Sequence, residues 1–191
     1  MFMYMAPLLK KTVKCLFATC VLALAGCSTV PNESNLQSET GPNASDEALL
    51  DRMVGKWVLR GTIAGKETTH DIEAAWVLNR EYMRLHEASR EQSANGKPAY
   101  EAIVFISWDQ RSGEYACLWL DSTTGGGLSA PGIAHGKRSG DAIPLVFNFT
   151  GGGTFHTTFI YDRHTGTWKW VMDDETGGNH QPFARVTLTK N

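Results

Sequence analysis

From Val54 to Lys190 the chain never sustains a helical period. It breaks instead into about ten short apolar or alternating runs, each ended by residues suited to a tight turn. The runs cover 55–63, 67–78, 81–90, 99–108, 114–122, 128–137, 142–150, 154–162, 167–173 and 182–189. Between them stand pairs such as Ala64-Gly65, Asn95-Gly96, Ser139-Gly140 and Gly177-Gly178, which supply a residue tolerant of positive φ. Trp108 to Tyr115 and Tyr161 to Trp168 share the form aromatic-Asp-x-x-Ser/Thr-Gly-x-aromatic and are read as two hairpin turns of one type. An open meander of ten strands would expose two edges and one apolar face, whereas closure removes both liabilities. The expected fold class is therefore all-β, an up-and-down antiparallel β-barrel of about ten strands, since a sandwich needs longer crossovers between its sheets. One short helix precedes it over Ser45 to Met53, with Leu49, Leu50 and Met53 on one face.

The N-terminus carries a different signal. Lys10, Lys11 and Lys14 precede an apolar run from Cys15 to Ala25, and Leu24-Ala25-Gly26-Cys27 ends it. The run is too short for the roughly 20 residues of a membrane span. Basic, apolar and small-residue regions in that order predict a signal peptide. Leu-Ala-Gly-Cys resembles the lipobox of bacterial lipoproteins, in which the signal is removed and the Cys becomes the acylated first residue. The resemblance implies domain boundaries at 1–26 for the signal, 27–43 for lipidated Cys27 and a polar, proline-containing tether, and 44–191 for the barrel. Two or more acyl chains make such anchoring stable, at roughly 0.8 kcal/mol per buried CH₂. A residue other than Asp after the Cys, here Ser28, implies the outer membrane, facing the periplasm.

Charge narrows the partners. The signal holds three of the 18 basic residues and no acid, so 15 basic residues face 20 acidic ones after it, a net charge of −5. That argues against a nucleic-acid binder, which should show a basic patch, and against electrostatic adhesion to anionic lipid, and leaves the anchor as the expected membrane partner. Cys117 is the one cysteine of the barrel region, so neither an intrachain disulfide nor a cysteine metal site is expected, and the thiol is read as a small buried apolar group. The sequence does not indicate an oligomeric state.

Gly55-Lys56-Trp57 follows the short helix directly, and resembles the Gly-x-Trp signature of the calycins, the group of lipocalins and fatty-acid-binding proteins. In that fold the helix closes one barrel end and the Trp packs on a basic side chain of the last strand, which makes Arg185 the expected cation–π partner. A wider resemblance runs through Leu50 to Trp57, Ala75 to Tyr82, Trp108 to Tyr115 and Leu118-Trp119-Leu120-Asp121. These stretches resemble a family of bacterial lipocalin-like proteins of the DUF1579 type, whose members usually carry Gly where this chain has Asn79. The family implies a barrel and no particular activity.

Candidate ligand-binding residues come from strand periodicity. Tyr82, Arg84 and His86 share one face of their run, opposite Met83, Leu85 and Glu87. Facing inward, Arg84 and His86 can hold a carboxylate or phosphate head; facing outward, Met83 and Leu85 fill the core. Trp119 and Asp121 share a face next to the Gly125-Gly126-Gly127 loop, where Asp121 can orient a ligand, act as a base or cap its own turn. His156 lies opposite Phe155, Thr157 and Phe159; an inward His156 can ligate haem, as in nitrobindin-like relatives of the fold, and an outward one is an ordinary strand histidine. No other cofactor and no metal is expected, because the six histidines show no ligand spacing. The glycine triplets at 125–127 and 151–153 lack the Lys-Ser/Thr or helix start of a phosphate loop. A ten-strand barrel encloses more than its own side chains usually fill, so the leading expectation is a pocket for a small apolar or amphipathic ligand. The alternatives are a barrel enzyme, an isomerase or hydrolase using Asp121, His86 or Tyr82 on a lipid-like substrate, and a haem protein.

Overall fold

The computed structural model of this chain describes residues 48–123, 128 and 130–191. The expected signal, Cys27, the tether and the 124–127 loop lie outside them. Ten strands follow a single helical turn over 48–51: β1 (Gly55–Ile63), β2 (Lys66–Val77), β3 (Tyr82–Ser89), β4 (Glu101–Asp109), β5 (Glu114–Asp121), β6 (Ile133–Gly136), β7 (Ala142–Asn148), β8 (Gly153–Asp162), β9 (Thr167–Thr176) and β10 (Asn179–Lys190). Each pairs antiparallel with its sequence neighbours. β10 then pairs with β1 from Trp57↔Lys190 to Ile63↔Ala184 and closes the barrel. The all-β, up-and-down barrel expected from the runs is the fold.

Two echoing turns form as their spacing requires. Asp109 Oδ1 accepts from the Arg111 N–H at 3.0 Å, and Asp162 Oδ1 accepts from the His164 N–H at 2.9 Å. Gly113 and Gly166, both at φ 66°, end the turns in the left-handed region and donate back to the Asp109 and Asp162 carbonyls.

Departures from the expected runs have local causes. The 128–137 run shrinks to the four residues of β6, because a 3-10 turn, Ala130–Gly132, occupies its start. Pro131 has no N–H to give a ladder. β9 continues to Thr176 through Asp173, Asp174 and Glu175, a polar stretch that resembles a loop in isolation. Cross-strand partners on β8 and β10 hold it extended. β10 starts early, at Asn179, and carries a bulge at Phe183, between Pro182 and Ala184.

The barrel interior divides along its axis. Toward the helix it is solid. Trp57, Leu59, Trp168, Trp170, Phe159 and Tyr115 are all buried there with the aliphatic side chains of β2 to β5. A helical turn of four residues has no stability of its own. Leu49, Leu50 and Met53 plug it into the barrel end, and indole N–H groups bind its backbone and flank. Trp57 Nε1 donates to the Met53 carbonyl at 2.7 Å, and Trp76 Nε1 donates to Asp51 Oδ1 at 2.6 Å, the oxygen that also accepts from Arg80 at 2.7 Å. The cation over Trp57 is Lys190, with Nζ 5.2 Å from the ring centroid. This corrects the expectation for Arg185, which alternation with the buried Ala184, Val186 and Leu188 turns outward, across from Thr62. Its guanidinium bonds Asp173 at 2.5 Å and the Met172 and Ala184 carbonyls at 2.7 Å.

The β2–β3 turn is strained. Leu78, Asn79 and Arg80 all adopt positive φ, at 50°, 56° and 68°. For a non-glycine residue this costs roughly 1–2 kcal/mol, and Leu78 spends it while 70% exposed. Replacing Leu78 with Gly relieves that strain and gives back part of the gain as unfolded-state entropy. Urea denaturation of L78G should therefore show a net stabilisation of about 0.5–1 kcal/mol; a lower midpoint contradicts the strain argument.

At the same barrel end Arg163 grips Asp141 with two contacts of 2.5 Å, joining the β6–β7 and β8–β9 turns. The Arg163 hydrogen bonds hold the Asp141 carboxyl below its ordinary 3.8. A folded-state value below the unfolded one stabilises the protein above about pH 4 and stops doing so as pH falls through the folded value. The stability difference between wild type and D141N should therefore shrink from pH 6 toward pH 2. A constant difference contradicts the link.

Candidate functional site

Away from the helix the barrel is hollow. A cavity of about 760 Å³ lies between the aromatic core and a rim formed by the β1–β2, β3–β4 and β7–β8 connections with Thr123, Pro131 and Gly132. That volume is within the range typical of small-molecule sites, roughly 300–1,000 Å³. One wall is apolar, with Ile63, Trp119, Phe147, Phe155, Met172 and Phe183. Trp119 is fixed by ring contacts to Trp170 at 5.4 Å and Phe147 at 6.3 Å. Phe149 and Phe183 reach solvent at the mouth, 48% and 38% exposed.

The opposite wall holds a polar cluster supplied by β2, β3 and the residue before β4. Period two turns His70 inward with Ile72 and Ala74, and Glu87 inward with Met83 and Leu85. Glu87 pairs across to Ile72, two residues from His70 on the same face, so the two side chains meet diagonally. His70 Nδ1 lies 2.5 Å from Glu87 Oε1, and His70 Nε2 lies 2.7 Å from Thr68 Oγ1. Both imidazole nitrogens are thereby engaged. Nδ1–H donates to the Glu87 carboxylate, and the role of Nε2 toward the Thr68 hydroxyl follows from whether it carries a hydrogen.

Tyr100 stacks on the imidazole at 5.8 Å and 24°. Its hydroxyl accepts from Trp119 Nε1 at 3.3 Å. Burial pushes the Tyr100 phenol up, and the nearby Glu87 and Asp121 carboxylates push it further, so it stays a neutral donor. The second Glu87 oxygen, Oε2, is buried with no hydrogen-bond partner although its side chain is only 3% exposed. A buried carboxylate oxygen left bare is costly. Glu87 lines the cavity, and Oε2 itself is closed off from solvent, so an occupant supplies its missing donor once the side chain turns toward the cavity.

The sequence candidates fall on both sides of the wall. Trp119 and Asp121 line the cavity, and Asp121 Oδ1 also caps its own turn, accepting from the Thr123 N–H at 2.7 Å and hydroxyl at 2.6 Å. Tyr82, Arg84 and His86 point outward, because Met83, Leu85 and Glu87 take the inner face. His86 Nε2 meets Glu101 at 2.7 Å on the surface, and Arg84 sits 3.9 Å from Glu73. The three therefore do not converge with Asp121, and the catalytic set named from the sequence is not assembled. His156 also points outward, since Phe155, Thr157 and Phe159 occupy the interior phase, so it cannot reach a haem held in the cavity. Cys117 is buried as expected, and burial raises its thiol pKa and keeps it inert.

The polar cluster was missed by sequence reading, though one sign of it was visible: a glutamate in phase with Met83 and Leu85. A carboxylate on an apolar face is either an error of phase or a site. His70 and Tyr100 carry no such sign, since their partners lie on other strands. No family model matches the chain, and no curated protein matches it.

Proposed function

We propose that this protein is a lipid-anchored envelope carrier that holds a small amphipathic molecule in its barrel. In this reading Cys27 carries the acyl chains, the tether spans 28–43, and the domain hangs at the periplasmic face of the outer membrane as a lipocalin-like module of the DUF1579 type. Lys10 to Cys27 support the anchor, and the four stretches from Leu50 to Asp121 support the family. The observation that carries the binding function is a cavity of about 760 Å³ with an apolar wall facing a buried, half-satisfied carboxylate. Phe149 and Phe183 at the mouth offer an apolar entry for a ligand leaving a bilayer.

The cavity also selects a polar end. Among the described residues its lining holds no arginine, and its one lysine, Lys66, is paired with Glu91 at 2.6 Å. Glu87 and Asp121 make the lining acidic. A carboxylate head would meet repulsion and find no fork of donors, whereas a hydroxyl or amine donates to Glu87 Oε2. The favoured ligand therefore has an aliphatic or aromatic body and a hydrogen-bond-donating head.

A second reading rests on the same oxygen. Glu87, lining one cavity with the neutral Tyr100 phenol, has the form of a general base that shares a site with a donor for a developing oxyanion. An isomerase that moves a proton next to a carbonyl needs that pair.

Titration of the full chain in mild detergent, followed by tryptophan fluorescence, separates these ideas. Dodecanol and dodecylamine should bind saturably and at least about tenfold more tightly than laurate, because the described lining residues include no unpaired lysine or arginine. E87L should weaken dodecylamine about tenfold, the scale of one charge-assisted hydrogen bond, and weaken dodecanol by less, while leaving a probe with no hydrogen-bond donor, such as dodecane, unchanged. Laurate binding as tightly as dodecylamine, or no saturable signal with any probe, contradicts the proposal.

A further inference from the structure

A second cluster lies outside the barrel wall, on three adjacent strands near the open end. Glu175 occupies β9. Directly across from it stand Thr154 on β8 and His180 on β10, and His156 sits two residues along β8 on the same outer face. His156 Nε2 lies 2.8 Å from Glu175 Oε2, and His180 Nε2 lies 3.7 Å from that same oxygen. One donor atom from each of the three residues falls within 4.8 Å of the other two. The Thr154 hydroxyl is 3.0 Å from both His156 Nε2 and Glu175 Oε2 and steadies the pair.

We propose that His156, Glu175 and His180 form a binding site for one divalent transition-metal ion of the zinc class. Two imidazoles and a carboxylate are the donor set of zinc sites that keep a fourth position open. Bonds of roughly 2.0–2.2 Å in a tetrahedral site place donor atoms about 3.3–3.6 Å apart, and the separations of 2.8 and 3.7 Å bracket that distance. Imidazole nitrogen selects zinc, nickel or copper over magnesium and calcium, which take oxygen. Residues at fixed register on paired strands need little rearrangement to close around an ion. The neighbouring carboxylate, Asp173, is engaged by Arg185 at 2.5 Å and does not compete. The His180 side chain is 59% exposed, so ion and water reach the site from solvent. Thr154 supplies the outer hydrogen bond that orients a ligating carboxylate. The site is separated from the cavity by the sheet itself and does not depend on what the cavity binds.

The test uses the full chain, tag-free, in mild detergent after removal of metals with a chelator. Zinc is titrated by calorimetry, and cobalt by its visible absorption bands. One equivalent should bind, with magnesium and calcium failing to compete. H180A and E175Q should each weaken zinc by at least about tenfold, and T154V by about tenfold through the outer hydrogen bond. H164A, which alters an exposed histidine in the β8–β9 turn, should leave the affinity unchanged. Absence of stoichiometric zinc binding, or binding that survives H156A, E175Q and H180A alike, overturns the proposal. Circular dichroism of each variant verifies that the barrel is intact.

Discussion

Closure of the strand ribbon is the constraint on which everything else in this molecule depends. The seam from Trp57↔Lys190 to Ile63↔Ala184 gives β1 and β10 their second partners and leaves no edge. It also fixes which side chains lie inside, because a slip of one residue would turn every side chain of the strand over. Once ten strands are closed, their circumference sets an interior volume independent of the residues available to fill it. At one end the helical turn and three buried indoles take up that space. At the other end the chain supplies aromatic walls and leaves the centre open. Solid floor and hollow mouth are two outcomes of the same geometry.

The pairing of His70 with Glu87 follows from that enclosure. Two ionisable side chains on adjacent strands are carried into the interior by phase, where an unpaired charge is penalised heavily. Each therefore binds the other, and Thr68 and Tyr100 complete the surroundings of the ring. A well-packed apolar pair would serve stability as well or better. The cost of the polar pair is understandable if the bare Glu87 oxygen is used by something entering from the mouth.

Much of the architecture was legible in the amino-acid order. Turn residues and period-two alternation located ten strands, and Asp109 and Asp162 specified their turns through contacts two residues away. These are local effects. The misreadings arise where partners are remote. Lys190, not Arg185, covers Trp57 because the seam pairs Trp57 with Lys190, while alternation puts Arg185 on the outer face, across from Thr62. β9 runs through an acidic stretch because His156, Arg185 and His180 lie across from it. Of the residues singled out for binding, Trp119 and Asp121 face the cavity while Tyr82, Arg84, His86 and His156 face solvent. Alternation identifies two faces; choosing the inner one required the buried Met83 and Leu85 to outweigh the chemistry of their neighbours.

A hollow barrel mouth with an acidic, hydrogen-bonding end is what sets this molecule apart from a filled barrel. Its most direct measurement is a crystal structure of the protein soaked with a bromine-tipped long-chain alcohol. An anomalous bromine peak is expected against Phe147, Phe155 and Phe183, with the alcohol oxygen within hydrogen-bond distance of Glu87 Oε2. A mouth filled by the protein's own side chains, or an alcohol seated with its hydroxyl away from Glu87, contradicts it.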